Sequence, residues 1–120
     1  MKKSRRAIVS LIIVLVLMLT ISVTAYAVYT SYNYGKNWKT IAYSSSGLNK
    51  SIQVTCYNTT GHTNDVRMLD SNGNTVWYEE GAITYSGVRT FWCGSDVCTV
   101  QIRNKGIIGN LTSETCIVIY

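Results

Sequence analysis

Apolar and polar side chains alternate with period two along much of the chain after residue 27. That period belongs to half-buried strands; no helix-period pattern competes with it there. In 51–57, Ile52, Val54 and Cys56 fall on one face, with Gln53, Thr55 and Tyr57 on the other. In 97–103, Cys98, Val100 and Ile102 oppose Thr99, Gln101 and Arg103. Residues 65–69 and 75–79 flank Asp70-Ser71-Asn72-Gly73-Asn74. Asn-Gly between two alternating runs predicts a hairpin. Further strands are expected over 38–43, 82–85, 88–93 and 115–120, punctuated by Gly47, Gly61, Gly87 and the stretch from Gly106 to Gly109. The last run, Cys116-Ile117-Val118-Ile119-Tyr120, is apolar on both faces and is expected to be a central strand.

Seven to eight short strands, each half apolar, predict an all-β fold: a small antiparallel β-sandwich, with a small closed barrel as the rival. The immunoglobulin signature is missing. Trp77 comes late after Cys56, and position 114, two residues before Cys116, is Glu rather than Tyr.

The first 27 residues read differently. Met1-Lys2-Lys3-Ser4-Arg5-Arg6 is cationic, residues 7–23 are almost wholly apolar, and Ala25-Tyr26-Ala27 supplies the small residues a signal peptidase accepts. These are the three parts of a secretory signal, with cleavage expected between Ala27 and Val28. The alternative is an uncleaved anchor, because the apolar run is long enough to cross a bilayer as a helix; membrane contact is expected only through that segment. Residues 28–36 are expected to be an N-terminal arm and 37–120 the sandwich domain.

The export segment changes the charge argument. The formal net charge is +5, yet Lys2, Lys3, Arg5 and Arg6 are four of the 11 basic residues, which leaves seven against six Asp and Glu. A nucleic-acid partner is therefore not expected. Export also sets the redox compartment. A domain this small needs a staple, and four cysteines in an oxidising environment predict two disulfides. Cys93-Gly94-Ser95-Asp96-Val97-Cys98 reads as a hairpin that would set Cys93 opposite Cys98. Cys56 and Cys116 would then form the second bridge.

Catalytic and metal chemistry find little support. His62, the one histidine of the chain, sits among loop formers, and no G-x-S-x-G elbow is present. Glu79 and Glu80 are adjacent on a strand and point to opposite faces, so they are not a glycosidase pair. Asp70-Ser71-Asn72-Gly73-Asn74 serves a turn as well as an incomplete calcium loop. No metal, cofactor or enzymatic activity is expected.

The excess is aromatic: nine Tyr, three Trp and one Phe. Alternation places Trp77 with Thr75 and Glu79, and Trp92 with Thr90, on outward faces, with Phe91 and Cys93 inward. Trp77 and Trp92, joined by Tyr34, Trp38 and Tyr85, are the candidate ligand-binding residues; Tyr29, Tyr32 and Tyr34 would belong to a flexible arm. Exposed aromatics suit sugar rings and protein hot spots. The expected function is a secreted, non-catalytic binding module acting on an envelope glycan or a protein partner. The alternative is a secreted, bacteriocin-like antagonistic protein.

Overall fold

In the computed structural model, which describes residues 28–58, 61–106 and 114–120, the alternating runs form eight strands. They are β1 (Tyr29–Tyr34), β2 (Lys39–Tyr43), β3 (Lys50–Tyr57), β4 (Asn64–Leu69), β5 (Thr75–Ile83), β6 (Val88–Cys93), β7 (Thr99–Arg103) and β8 (Glu114–Ile119). Two four-stranded sheets result, in the orders β1-β8-β3-β6 and β2-β7-β4-β5. All pairings are antiparallel. The fold is therefore the two-sheet sandwich; the closed barrel is excluded, because each sheet keeps two edge strands. The strand order is that of a jelly roll. Successive strands change sheet at every connection except β4 to β5.

That exception is the Asn-Gly hairpin. The Asp70 carboxylate Oδ1 accepts the Asn72 and Asn74 N–H groups, each at 2.9 Å, and Gly73 takes a φ of +80°. The Asx geometry and the glycine are the turn chemistry that the sequence announces.

The core sits between the sheets. Ile52, Val54 and Cys56 of β3, Val66 and Met68 of β4, Val100 and Ile102 of β7, and Cys116 and Val118 of β8 are all buried. These are the inward halves of the period-two patterns. β8 lies between β1 and β3, so the C-terminal strand is interior, as its apolar character predicts.

Three expectations are corrected. Tyr29, Tyr32 and Tyr34 are not a flexible arm: they lie on β1, paired residue for residue with β8, from Tyr29 opposite Ile119 to Tyr34 opposite Glu114. Residues 82–85 are not a separate strand, since β5 runs through a bulge at Gly81 as far as Ile83. Cys93 and Cys98 do not face each other across a hairpin. Cys93 ends β6 in one sheet, opposite Lys50, whereas the Cys98 N–H bonds to the Leu69 carbonyl in the other sheet at 2.9 Å. The intervening turn, closed by Val97 N–H to Gly94 O at 3.2 Å, carries the chain between sheets. All four cysteines are buried thiols, with no disulfide among them. Cys56 and Cys116 are nevertheless direct partners in the β3–β8 register. The export signal, its cleavage site and the alternative anchor lie outside the described residues.

Candidate functional site

The edges of the two sheets meet on one side of the sandwich, where β5 faces β6. Two contacts bridge them. Trp77 of β5 packs edge-on against Phe91 of β6, with ring centroids 5.7 Å apart. Arg89 of β6 pairs with Glu79 of β5, donates to the Ala82 carbonyl at 2.8 Å, and lies 5.0 Å from the Phe91 ring centroid. Beside these bridges a cleft of about 460 Å³ opens to solvent, with Met68, Trp77, Phe91 and Val97 among its lining. Val76, Thr90, Trp92 and Asp96 also border it.

The cleft follows from local alternation. On β6, Arg89, Phe91 and Cys93 point one way and Val88, Thr90 and Trp92 the other. Phe91 and Cys93 are buried and Trp92 is 65% exposed, as expected from the sequence. On β5 the assignment is reversed. Trp77 and Glu79 do share a face, but that face turns toward β6 and the core, while Val76 and Tyr78 are exposed. Val76, Trp77 and Tyr78 are apolar in succession and fit either facing, and a bulge follows them. Gly81, at φ +66°, adds residues opposite Asp65, so Ala82 and Ile83 are both buried and simple alternation cannot be carried through β5.

The remaining aromatic candidates do not join this cleft. Tyr34 is only 3% exposed, and its hydroxyl donates to Asn64 Oδ1 at 2.6 Å. Burial, with Cys56, Cys116 and Glu114 nearby, pushes its phenol far above the ordinary tyrosine range. Asn64 is the hub of a buried polar cluster. Its Oδ1 also accepts Asn58 Nδ2 at 3.3 Å and Asn104 Nδ2 at 3.4 Å, and its own Nδ2 donates to the Ile83 and Thr84 carbonyls. Asn58 Nδ2 also donates to the His62 carbonyl at 2.6 Å. This cluster fastens the loops at one end of the sandwich and marks Tyr34 as structural. Tyr85 is exposed in the turn between β5 and β6.

Trp38 lies on the outer face of the second sheet. Its indole is 6.1 Å from the Tyr78 ring centroid, edge to face, and has the guanidinium carbons of Arg103 and Arg67 at 4.2 and 4.3 Å from its own centroid. Neither arginine stood out in the sequence. Their outward positions on β7 and β4 were legible from alternation, but their convergence on Trp38 was not.

Three of the thiols, those of Cys56, Cys93 and Cys116, are chemically quiet. Burial pushes those of Cys56 and Cys93 up to about 11 and that of Cys116 up to about 12, with Cys56 adding to the last. Among the described residues, no group of three or more His, Cys, Asp or Glu side chains gathers into a metal-binding arrangement.

No protein-family model matches the chain. No curated protein sequence matches it either. Solved structures give remote likenesses. A protein from work on Bacillus endospore appendages, described as disulfide-linked pili, is 15% identical over 78% of this chain and 82% of its own, with a TM-score of 0.45. Pseudomonas aeruginosa AlgX is 12% identical over 77% of this chain and 25% of its own, with a TM-score of 0.43. The SPBc2 prophage-derived protein YomS is 10% identical over 79% of this chain and 94% of its own, with a TM-score of 0.45.

Proposed function

We propose that the chain is an exported, non-catalytic binding module that takes its ligand in the cleft between β5 and β6. The observation that supports this reading is Trp92, 65% exposed at the border of an open cleft lined by Trp77 and Phe91. A large aromatic side chain held out in water at the mouth of a recess lined by both aromatic and polar side chains is suited to a sugar ring or to a side chain of a partner. Thr90, Asp96 and Gly94 along the same border offer polar groups for orientation. The partner in this reading is an envelope glycan or an envelope protein, and the signal-like sequence of residues 1–27 supports an encounter outside the cytoplasm, with the domain either released or tethered.

Export also bears on the thiols. The Cys56 N–H donates toward β6, to Gly87 O at 2.8 Å. Its backbone polar groups therefore point away from β8, and Cys56 with Cys116 is a non-hydrogen-bonded antiparallel pair, for which Cα atoms are in general about 4.5 Å apart. That is within the span of a disulfide. Oxidation of this pair after export is part of the proposal.

The test is a titration of the full chain with cell-wall glycan fragments, followed by tryptophan fluorescence, beside a pull-down from envelope extract. A spectral shift that Trp92→Ala removes is the expected result. Retention of the same partner by the folded Trp92→Ala protein would sink the reading.

A further inference from the structure

The outer face of the second sheet carries a constellation independent of the cleft. Four strands contribute one row: Thr40 of β2, Gln101 of β7, Arg67 of β4 and Tyr78 of β5 are register partners in turn. The next row sets Arg103 opposite Asp65. Trp38 lies across both rows, with a guanidinium 4.3 Å from its centroid on Arg67 and another at 4.2 Å on Arg103.

Two like charges against one indole are not balanced by the protein. Arg103 Nε donates to Asp65 Oδ2 at 3.1 Å, but the same carboxylate oxygen lies 3.7 Å from Lys105 Nζ, which also pairs with Glu80. Arg67 has no carboxylate partner among the described residues, which include all six Asp and Glu of the chain. Its Nε instead donates to the neutral Gln101 Oε1 at 2.7 Å, and Gln101 Nε2 is oriented by Thr40 Oγ1 at 3.1 Å. Partial burial and the Arg103 charge both weaken the hold of Arg67 on its proton. Among the described residues the terminal nitrogens of Arg67 and Arg103 have no hydrogen-bond partner. Both forks are thus held in place through Nε and by the indole, with their other donors unused. An arginine fork matches the spacing of two oxygens on one anion.

We propose that Arg67 and Arg103, braced against Trp38, form an oxyanion-binding site for a carboxylate or phosphate group carried on an extracellular polymer. An anion that both forks reach supplies the acceptors they lack and relieves their mutual repulsion. The indole is a brace here rather than a sugar platform, because the guanidinium groups lie against it.

The experiment titrates the full chain, in low-salt buffer, with polyphosphate, with polygalacturonate and with uncharged dextran. The readouts are the Nε–H resonances of Arg67 and Arg103 and the calorimetric affinity. At least one polyanion shifts both resonances, dextran shifts neither, and added salt weakens binding. Which polymer binds more tightly decides between phosphate and carboxylate. Arg67→Met keeps the stem over Trp38 and removes the fork, and is expected to lower affinity about tenfold or more. Gln101→Glu places a carboxylate beside Arg67, filling the site from within, and is expected to lower affinity similarly while raising the melting temperature. Lys50→Met, on β3 of the other sheet and outside the cleft, leaves polyanion affinity unchanged. The proposal is overturned if neither polyanion moves the resonances, if dextran acts equally, or if Arg67→Met and Gln101→Glu both bind within about twofold of the parent.

Discussion

The carboxylate of Asp65 closes the β-bulge at Gly81: Oδ1 accepts the Gly81 N–H at 2.9 Å while Oδ2 accepts Arg103 Nε at 3.1 Å. Asp65 is 2% exposed, and its charge is tolerated because its oxygens accept these two donors, with Lys105 Nζ 3.7 Å from Oδ2. One buried side chain thus holds the bulge of β5 and anchors one of the two guanidinium groups on Trp38.

Removing that carboxylate strands the Gly81 N–H and leaves Arg103 with no buried partner. Asp65→Ala is expected to cost about 3 kcal/mol, and Asp65→Asn about 1–2 kcal/mol because the amide oxygen still meets one donor. Urea denaturation of the two variants beside the parent checks both the size and the order of these losses.

The two cleft tryptophans should behave differently. Trp77 is partly buried against the core and packs edge-on against Phe91, so Trp77→Ala is expected to cost about 2–3 kcal/mol. Trp92 projects into solvent, and Trp92→Ala should stay within about 0.5 kcal/mol of the parent. Equal melting temperatures for the two variants would contradict the assignment of Trp77 to the core side of β5.

Tyr34→Phe keeps the ring and deletes the donor to Asn64 Oδ1. Among the described residues, two long amide contacts then remain on that oxygen. A loss of about 1–2 kcal/mol is expected, read as a fall in the thermal midpoint with no change in the far-ultraviolet circular dichroism.

For the reduced protein, the thiols predict a stability loss in alkali. The folded-state pKa values of Cys56, Cys93 and Cys116 are raised from an ordinary 9.0 to about 11, 11 and 12. Between those limits the unfolded chain binds fewer protons than the folded one, so stability falls as pH rises. The contribution is complete below pH 9.0 and declines through pH 11–12. Chemical denaturation at stepped pH measures it. A Cys56–Cys116 bridge removes two of the three titrating groups, so the oxidised protein should show a shallower decline; four thiols released on denaturing the exported protein would exclude the bridge.

A chain ending at Thr115 lacks most of β8, which separates β1 from β3 and contributes the buried Cys116 and Val118. It is expected not to fold, with loss of cooperative unfolding as the readout.

The strands were legible wherever one face is buried and the other wet. In β3 and β7 the sequence placed Ile52, Val54, Val100 and Ile102 inward correctly, since a period of two leaves one choice of face once the apolar set is known. The strand at 75–79 was legible, but its facing and its continuation were not, because Val76, Trp77 and Tyr78 are apolar in succession and the bulge at Gly81 depends on a carboxylate 16 residues away. β1 was hidden for a related reason: Tyr29, Tyr32 and Tyr34 do not alternate strictly, and their strand exists only because β8 offers it an edge.

What the sequence determines by itself is therefore local: the period that makes strands, the Asp70–Gly73 turn that makes the β4–β5 hairpin, and the apolar β8 that demands an interior place. Tertiary structure decided the rest. Because the chain changes sheet at every connection but that hairpin, each remaining neighbour pair joins residues distant in sequence. The Cys56–Cys116 partnership and the gathering of Arg67 and Arg103 on Trp38 arise from such pairings, and the Trp77–Phe91 cleft arises where the edges of the two sheets pack together. No local pattern encodes which strand lies beside which. That choice follows from burying all the inward faces at once, a property of the whole chain rather than of any segment.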